Sequence, residues 1–254
     1  LLRVYEDCHL TIEDITITGL VYSALNFDSG SYGTISNCEF ENIYYKDGTM
    51  HPIKMWHSNV VLNDCTFESN GNIWCSYSTL NIDDCTFTSN SYVNIYGSQG
   101  GAIHADSSSN VTVTNSEFKY NEAINAAEVG NNAKGGAIYA TKLKVHNTEF
   151  IGNGAGFGAA IYIAGDSNDP VNITNCVFDS NVATEGYRHI YSESATRIFH
   201  LEFNEYDVNI KIDAKDGSYG EDYILEGDFD WGCNLDNNYT FFTGTIDDGD
   251  VVGD

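Results

Sequence analysis

The sequence predicts an all-β solenoid, a right-handed single-stranded parallel β-helix, on three observations. A phenylalanine-centred motif recurs along the chain, a glycine-rich motif precedes most copies, and a short alternating strand lies between them. No repeat unit contains an amphipathic helical stretch, which removes folds built on helical crossovers.

The phenylalanine motif reads N/D-C/S/T-x-F-x-x-N. Its clearest copies are Asn63 to Asn70, Asp83 to Asn90, Thr114 to Asn121, His146 to Asn153 and Thr174 to Asn181. Phe67, Phe87, Phe118, Phe150 and Phe178 recur at intervals of 20, 31, 32 and 28 residues, the signature of coils with loops of variable length. Phe40 heads a degenerate earlier copy and Phe203 a late one without the asparagine. The glycine motif is Gly100-Gly101-Ala102-Ile103-His104, Gly135-Gly136-Ala137-Ile138-Tyr139 and Gly158-Ala159-Ala160-Ile161-Tyr162, decaying at Gly186 to Tyr191. Val60-Val61-Leu62, Leu80-Asn81-Ile82, Val111-Thr112-Val113, Leu143-Lys144-Val145 and Val171-Asn172-Ile173 are the strands between.

About eight coils are expected over residues 1–205, stacked at about 4.8 Å so that equivalent side chains form columns along the axis. Phe118 and Phe150 then share a buried column. Asn70, Asn90, Asn121, Asn153 and Asn181 form a structural amide ladder in one turn, where asparagine accepts left-handed backbone. Cys38, Cys65, Cys85 and Cys176 occupy a position held elsewhere by Ser116 and Thr148, as small side chains in one column would. A Cys65–Cys85 disulfide is geometrically allowed, and buried free thiols are the simpler reading. Residues 206–254 lack both motifs, and their strand-like pieces, Val208 to Ile212 and Tyr239 to Phe242, read as a C-terminal β cap or the start of a following β domain.

The paired motifs resemble the GGAI and FxxN repeats of polymorphic outer-membrane proteins and of archaeal adhesin-like proteins, over roughly residues 10–205. The resemblance implies a secreted, surface-attached passenger that mediates adhesion to a glycan or a surface protein of another cell.

Composition narrows the partners. The formal charge is −26, from 37 acidic and 11 basic side chains, which excludes binding to nucleic acid through its phosphates. No apolar run approaches the ~20 residues of a membrane span, Leu1-Leu2-Arg3 is too short for a signal peptide, and the chain reads as a monomeric piece of something longer. Seven cysteines without CxxC spacing indicate neither a disulfide scaffold nor zinc.

Enzymes that degrade acidic polysaccharides also use β-helices, and a passive stalk is a third possibility. Asp83-Asp84 is the only aspartate pair of the repeats, but it fills the N/D position of its coil. The chain has three arginines and an acidic surface that repels anionic sugars. No catalytic residue is assigned. Asp228, Asp230 and Asp236, and the run Asp247 to Asp250, offer oxygen ligands for calcium without matching an EF-hand. No other cofactor is expected.

If the glycine-motif isoleucines point inward, period two turns their successors outward: Trp74, His104, Tyr139, Tyr162 and Tyr191. This aromatic strip is the candidate ligand-binding surface, set against simple self-stacking that fixes coil register; Lys54 and Asn26 continue its column toward the N-terminus. Tyr44-Tyr45, His51 and Met55-Trp56-His57 cluster where the repeat is weakest, which a degenerate coil explains more simply than a binding loop. Sequons at Asn110, Asn172 and Asn238 offer glycan acceptors in a secreted protein.

Overall fold

The structure, a computed structural model, describes residues 2–20, 22–44, 50–94, 97–126, 132–165, 171–185 and 189–192, and the backbone of strands 199–203, 210–212 and 223–226. Every strand pair among these residues is parallel, and each strand pairs with its equivalents one coil away. The chain forms a right-handed parallel β-helix with three principal stacks.

The first stack carries the glycine-motif isoleucines and holds nine described strands, from Leu2–Val4 through Ile103–Ala105 to Ile210–Ile212. The second carries the alternating strands, such as Asn110–Thr114, whose Val111 and Val113 point inward while Asn110 faces solvent. The third carries the phenylalanines, as in Glu117–Lys119. In the seventh coil one strand, Val171–Asp179, runs through the corner and joins the second and third stacks. A short fourth stack, absent from the sequence reading, follows the third: Ser91–Asn94, Glu122–Asn125, Gly154–Ala155 and Val182–Ala183.

Parallel register runs on past residue 205. Ile210–Ile212 pairs with Ile190–Ser192, and Tyr223–Glu226 pairs with Phe199–Phe203. The boundary expected at 205 therefore falls inside the stack, and Tyr239 to Phe242 lie outside the described residues.

The interior is a set of columns. Phe40, Phe67, Phe87, Phe118, Phe150 and Phe178 stack ring on ring at centroid spacings of 4.6–5.0 Å, within 10° of parallel. All six are buried, and Ile17 continues the column into the first coil. Burial of each such ring contributes a few kcal/mol, so the column is a main source of stability.

Hydrogen-bonded ladders close the corners. Asn121 Nδ2 donates to Phe87 O at 2.9 Å and to Asn153 Oδ1 at 3.0 Å, and Asn90 and Asn153 repeat the arrangement one coil away on either side. Asn70 Nδ2 donates to Phe40 O and Asn181 Nδ2 to Phe150 O. The five amides are buried with their partners made, as buried polar groups require. The left-handed residues are different ones. Ser69, Ser89, Tyr120, Gly152 and Ser180, each just before a ladder asparagine, take positive φ, as do Asp64, Asp84, Asn115, Asn147 and Asn175 at the preceding corner. Asparagine at the ladder is thus selected by its amide and not by its backbone.

At the corner between the second and third stacks, Cys65 N–H donates to Cys85 Sγ at 3.3 Å and Cys85 N–H to Ser116 Oγ at 3.1 Å. The six described cysteines are all free, including Cys65 and Cys85. A third ladder, which sequence inspection missed, runs through Ser58, Ser78 and Ser109 between the first and second stacks. The glycine motif has its own steric cause. A Cβ on Gly136 would sit 2.1 Å from Ala159 O of the next coil, and one on Gly101 would sit 2.1 Å from Gly136 O.

Candidate functional site

Register places Trp74, His104, Tyr139, Tyr162 and Tyr191 side by side along the first stack. Their rings stack at 4.9–6.4 Å, within 15° of parallel. The column forms but is only partly open to solvent. Tyr162 is only 2% exposed and the other four are half-buried. Loop residues lie against it: Gln99, Lys134 and Phe157 bridge in parallel, Lys134 Nζ sits 4.7 Å from the Tyr162 centroid, and Phe157 packs on Tyr191. At the other end Lys54 Nζ lies 5.0 Å from the Trp74 centroid and His51 packs between Trp74 and Tyr92.

Stacked rings occupy each other's faces and leave edges outward, so a sugar ring, which needs a free face, finds none along this column. Stacked in this way, each ring packs against its equivalents in the neighbouring coils. Burial pushes His104 down to about 4, helped by the nearby His51, and pushes His51 down to about 4 as well. His51 Nδ1 lies 3.0 Å from Asn72 O and 2.8 Å from Asn72 Oδ1, both acceptors, so Nδ1 carries the proton of the neutral ring.

The aspartate pair lies at the opposite corner. Hydrogen bonds from Thr114 and Asn115 hold Asp83 below the usual carboxylate range. The charge of Asp64 raises Asp84, which is fully exposed. Asp84, Asn115, Glu117, Asn147, Glu149 and Asn175 line a groove of about 490 Å3. Along it Asn147 Nδ2 donates to Asn115 Oδ1 at 2.7 Å and Asn175 Nδ2 to Asn147 Oδ1 at 3.0 Å, a second, outer amide line. Among the described residues no three His, Cys, Asp or Glu side chains gather as a metal site. Asp228, Asp230, Asp236 and the Asp247 to Asp250 run lie outside the described residues.

Aromatic surface is exposed elsewhere, at the corner between the first and second stacks. Trp56, His57 and Tyr77 meet there. His57 stacks on Tyr77 at 4.6 Å and 9°, while Trp56 stands nearly perpendicular to His57, at 5.0 Å and 78°. Trp56 is 50% and Tyr77 55% exposed. His57 and Tyr77 hold φ of 50° and 49°, at the corner where the preceding coil has Gly30. Bulky residues in left-handed backbone cost of order 1–3 kcal/mol, and glycine would remove that strain. Beside them Tyr32, half exposed, registers with exposed Asn59. The sequence groups Trp56 and His57 in a cluster read as a degenerate coil in preference to a binding loop, and Tyr77 belongs to no motif. Its signal is its place one residue past a first-stack strand, Ile73–Ser76.

Parallel coils, interior ladders and a decorated outer surface define a β-helix solenoid that presents side chains on its flanks. The chain belongs to the right-handed β-helix family: the family model described as a right-handed beta helix region matches residues 2–157. A similar protein is the metabotropic glutamate receptor-like protein R of Dictyostelium discoideum, 33% identical over 175 residues. The match covers 65% of this chain and 10% of that protein, so the chain spans about a tenth of the relative's length. No solved structure matches.

Proposed function

We propose that this β-helix is an extracellular, adhesin-like recognition module of a cell-surface protein, attaching to a glycan or protein on another cell, and that it is not an enzyme. The observation that carries the reading is the exposed corner of Trp56, His57 and Tyr77. Exposed rings held at a backbone cost, on a rigid side wall, suit an interaction site better than a spacer. The likeness to part of a receptor-like protein is in keeping with a surface location. Asn110, exposed on the second stack, offers an accessible glycan acceptor in that setting, and Asn172 is half-buried. Asp84 holds the exposed left-handed corner position that other coils fill with Asn115, Asn147 and Asn175, and Asp83 the strand-end position of Asn63 and Thr114, so the placement of both follows from the repeat without a catalytic role.

The test is binding of the fluorescently labelled chain to a panel of cells, run beside an assay for reducing or unsaturated sugar ends. Saturable cell binding without turnover is the expected result. Depolymerisation of any polysaccharide that disappears in Asp84→Asn would replace this reading with an enzyme, and absence of both binding and turnover would leave a passive stalk.

A further inference from the structure

We infer that the Trp56–His57–Tyr77 corner binds an uncharged carbohydrate, with a pyranose ring lying on the free face of Trp56. The inference rests on the recognition reading and names the ligand class of the same surface.

The geometry separates this corner from the other aromatic groups. In the column through His104 and Tyr139 each ring has a ring on either side. At the corner, His57 and Tyr77 are stacked on each other, but Trp56 is turned 78° out of that stack and is half exposed. An indole outside the stack offers the flat, polarisable surface that the C–H face of a sugar ring prefers. Tyr77 Oη and the exposed Asn59 amide stand within the same two successive coils as donors and acceptors for hydroxyl groups.

Charge selects among partners. The chain carries −26, which disfavours an anionic glycan anywhere on its surface. A cationic peptide would need carboxylates free beside the rings, and the two in line with Trp56 are already engaged. Asp28 Oδ2 accepts Arg3 Nε at 2.5 Å in the coil before. Asp106, in the coil after Ser76, accepts Ser76 Oγ, Ser109 Oγ and the backbone N–H groups of Tyr77 and Ser108. Burial alone would raise Asp106, and those bonds hold it below its ordinary value. What remains beside Trp56 is aromatic, and Asp7, the carboxylate in line with Gly30, His57 and Tyr77, lies two coils before His57, which leaves the indole to an uncharged ring.

The experiment uses the 254-residue chain on an array of cello-, xylo-, manno- and malto-oligosaccharides, with polygalacturonate, heparin and oligolysine alongside, and with the same chain titrated on cells. Binding to at least one neutral series is expected, reduced at least tenfold by Trp56→Ala and by Tyr77→Ala and largely kept by Trp56→Phe. Tyr120→Ala, an exposed tyrosine after a third-stack strand, serves as the control with unchanged binding. Circular dichroism checks that each variant folds. If Trp56→Ala does not, loss of the ligand-induced fluorescence change in Trp56→Phe decides the same point. Neutral-glycan binding that survives both Ala variants would overturn the site. Binding of oligolysine alone, or Trp56-dependent cell binding with a blank neutral array, would overturn the carbohydrate assignment and leave the recognition reading intact. Silence on cells and array together would remove both.

Discussion

Asn121 Nδ2 donates to Asn153 Oδ1 across 3.0 Å, and the same oxygen takes the Asn121 backbone N–H at 2.9 Å. One side chain thereby satisfies two donors of the preceding coil, and its own amide is held by the coil after. Asn121→Ala removes the acceptor of Asn90 N–H and the donor to Phe87 O inside the wall. The expected loss is roughly 2–3 kcal/mol by urea denaturation, because buried groups are left unpaired. A loss under about 0.5 kcal/mol would mean that water reaches this corner.

The half-buried aromatic column makes a second test. Its members behave as packing, so Tyr162→Ser should cost at least about 2 kcal/mol, and Phe118→Ala in the interior column about 3–5 kcal/mol. If Tyr162→Ser left the denaturation midpoint unchanged, the loop residues Lys134 and Phe157 would not be covering the column and its role as a ligand strip would reopen.

Glycines in the repeat carry different loads. Gly136→Ala should prevent native folding, since its Cβ would meet Ala159 O at 2.1 Å and Gly154 backbone at 2.6 Å. Gly19→Ala, with φ +68° and nothing within 4 Å of the added carbon, should cost only about 1 kcal/mol from left-handed backbone. Limited proteolysis of both variants compares them directly, and equal resistance would contradict the close approach of the coils.

Acid sensitivity follows from His51 and His104, both held down to about 4 mainly by burial. Above the ordinary imidazole value both folded and unfolded chains are neutral there and nothing is lost. As pH falls from about 6.5 toward 4 the unfolded chain binds protons that the native state refuses, so stability drops, and below about 4 the loss levels off. For His51, which is 7% exposed, the loss reaches roughly 3 kcal/mol. His51→Gln, whose amide still donates to Asn72 O, should flatten the fall between pH 6.5 and 4.5. Imidazole NMR titration provides the second reading, and a midpoint near 6.5 for either ring would refute its burial.

Period-two alternation between Ile138, Tyr139 and Ala140 is enough to assign each side chain to the inside or the outside. Identical spacing from Phe67 to Asn70 and from Phe150 to Asn153 is enough to stack phenylalanine on phenylalanine and amide on amide. Those are local constraints repeated coil by coil, and parallel pairing brings equal positions together without further information. The serine ladder at Ser58, Ser78 and Ser109 escaped notice because serine is common in this chain and its motif has no rarer companion. The motifs fade near residue 205 while the strands of Ile210–Ile212 and Tyr223–Glu226 keep their register, so loss of the motifs does not by itself mark the end of parallel pairing.

The sequence by itself therefore determined the solenoid, its phenylalanine and asparagine columns and the facing of the residues in the motif-bearing strands, since these depend on periodicity that the coils repeat. Exposure was decided only in three dimensions. Tyr162 points away from the axis as its position demands, yet it is covered, because the loops bearing Lys134 and Phe157 fold back along the first stack. Trp56 and Tyr77 have no motif, yet they stand open, because their corner has short connections and, among the described residues, no loop is laid over it. Whether an outward side chain meets water depends on the paths of neighbouring loops, which have no period to read.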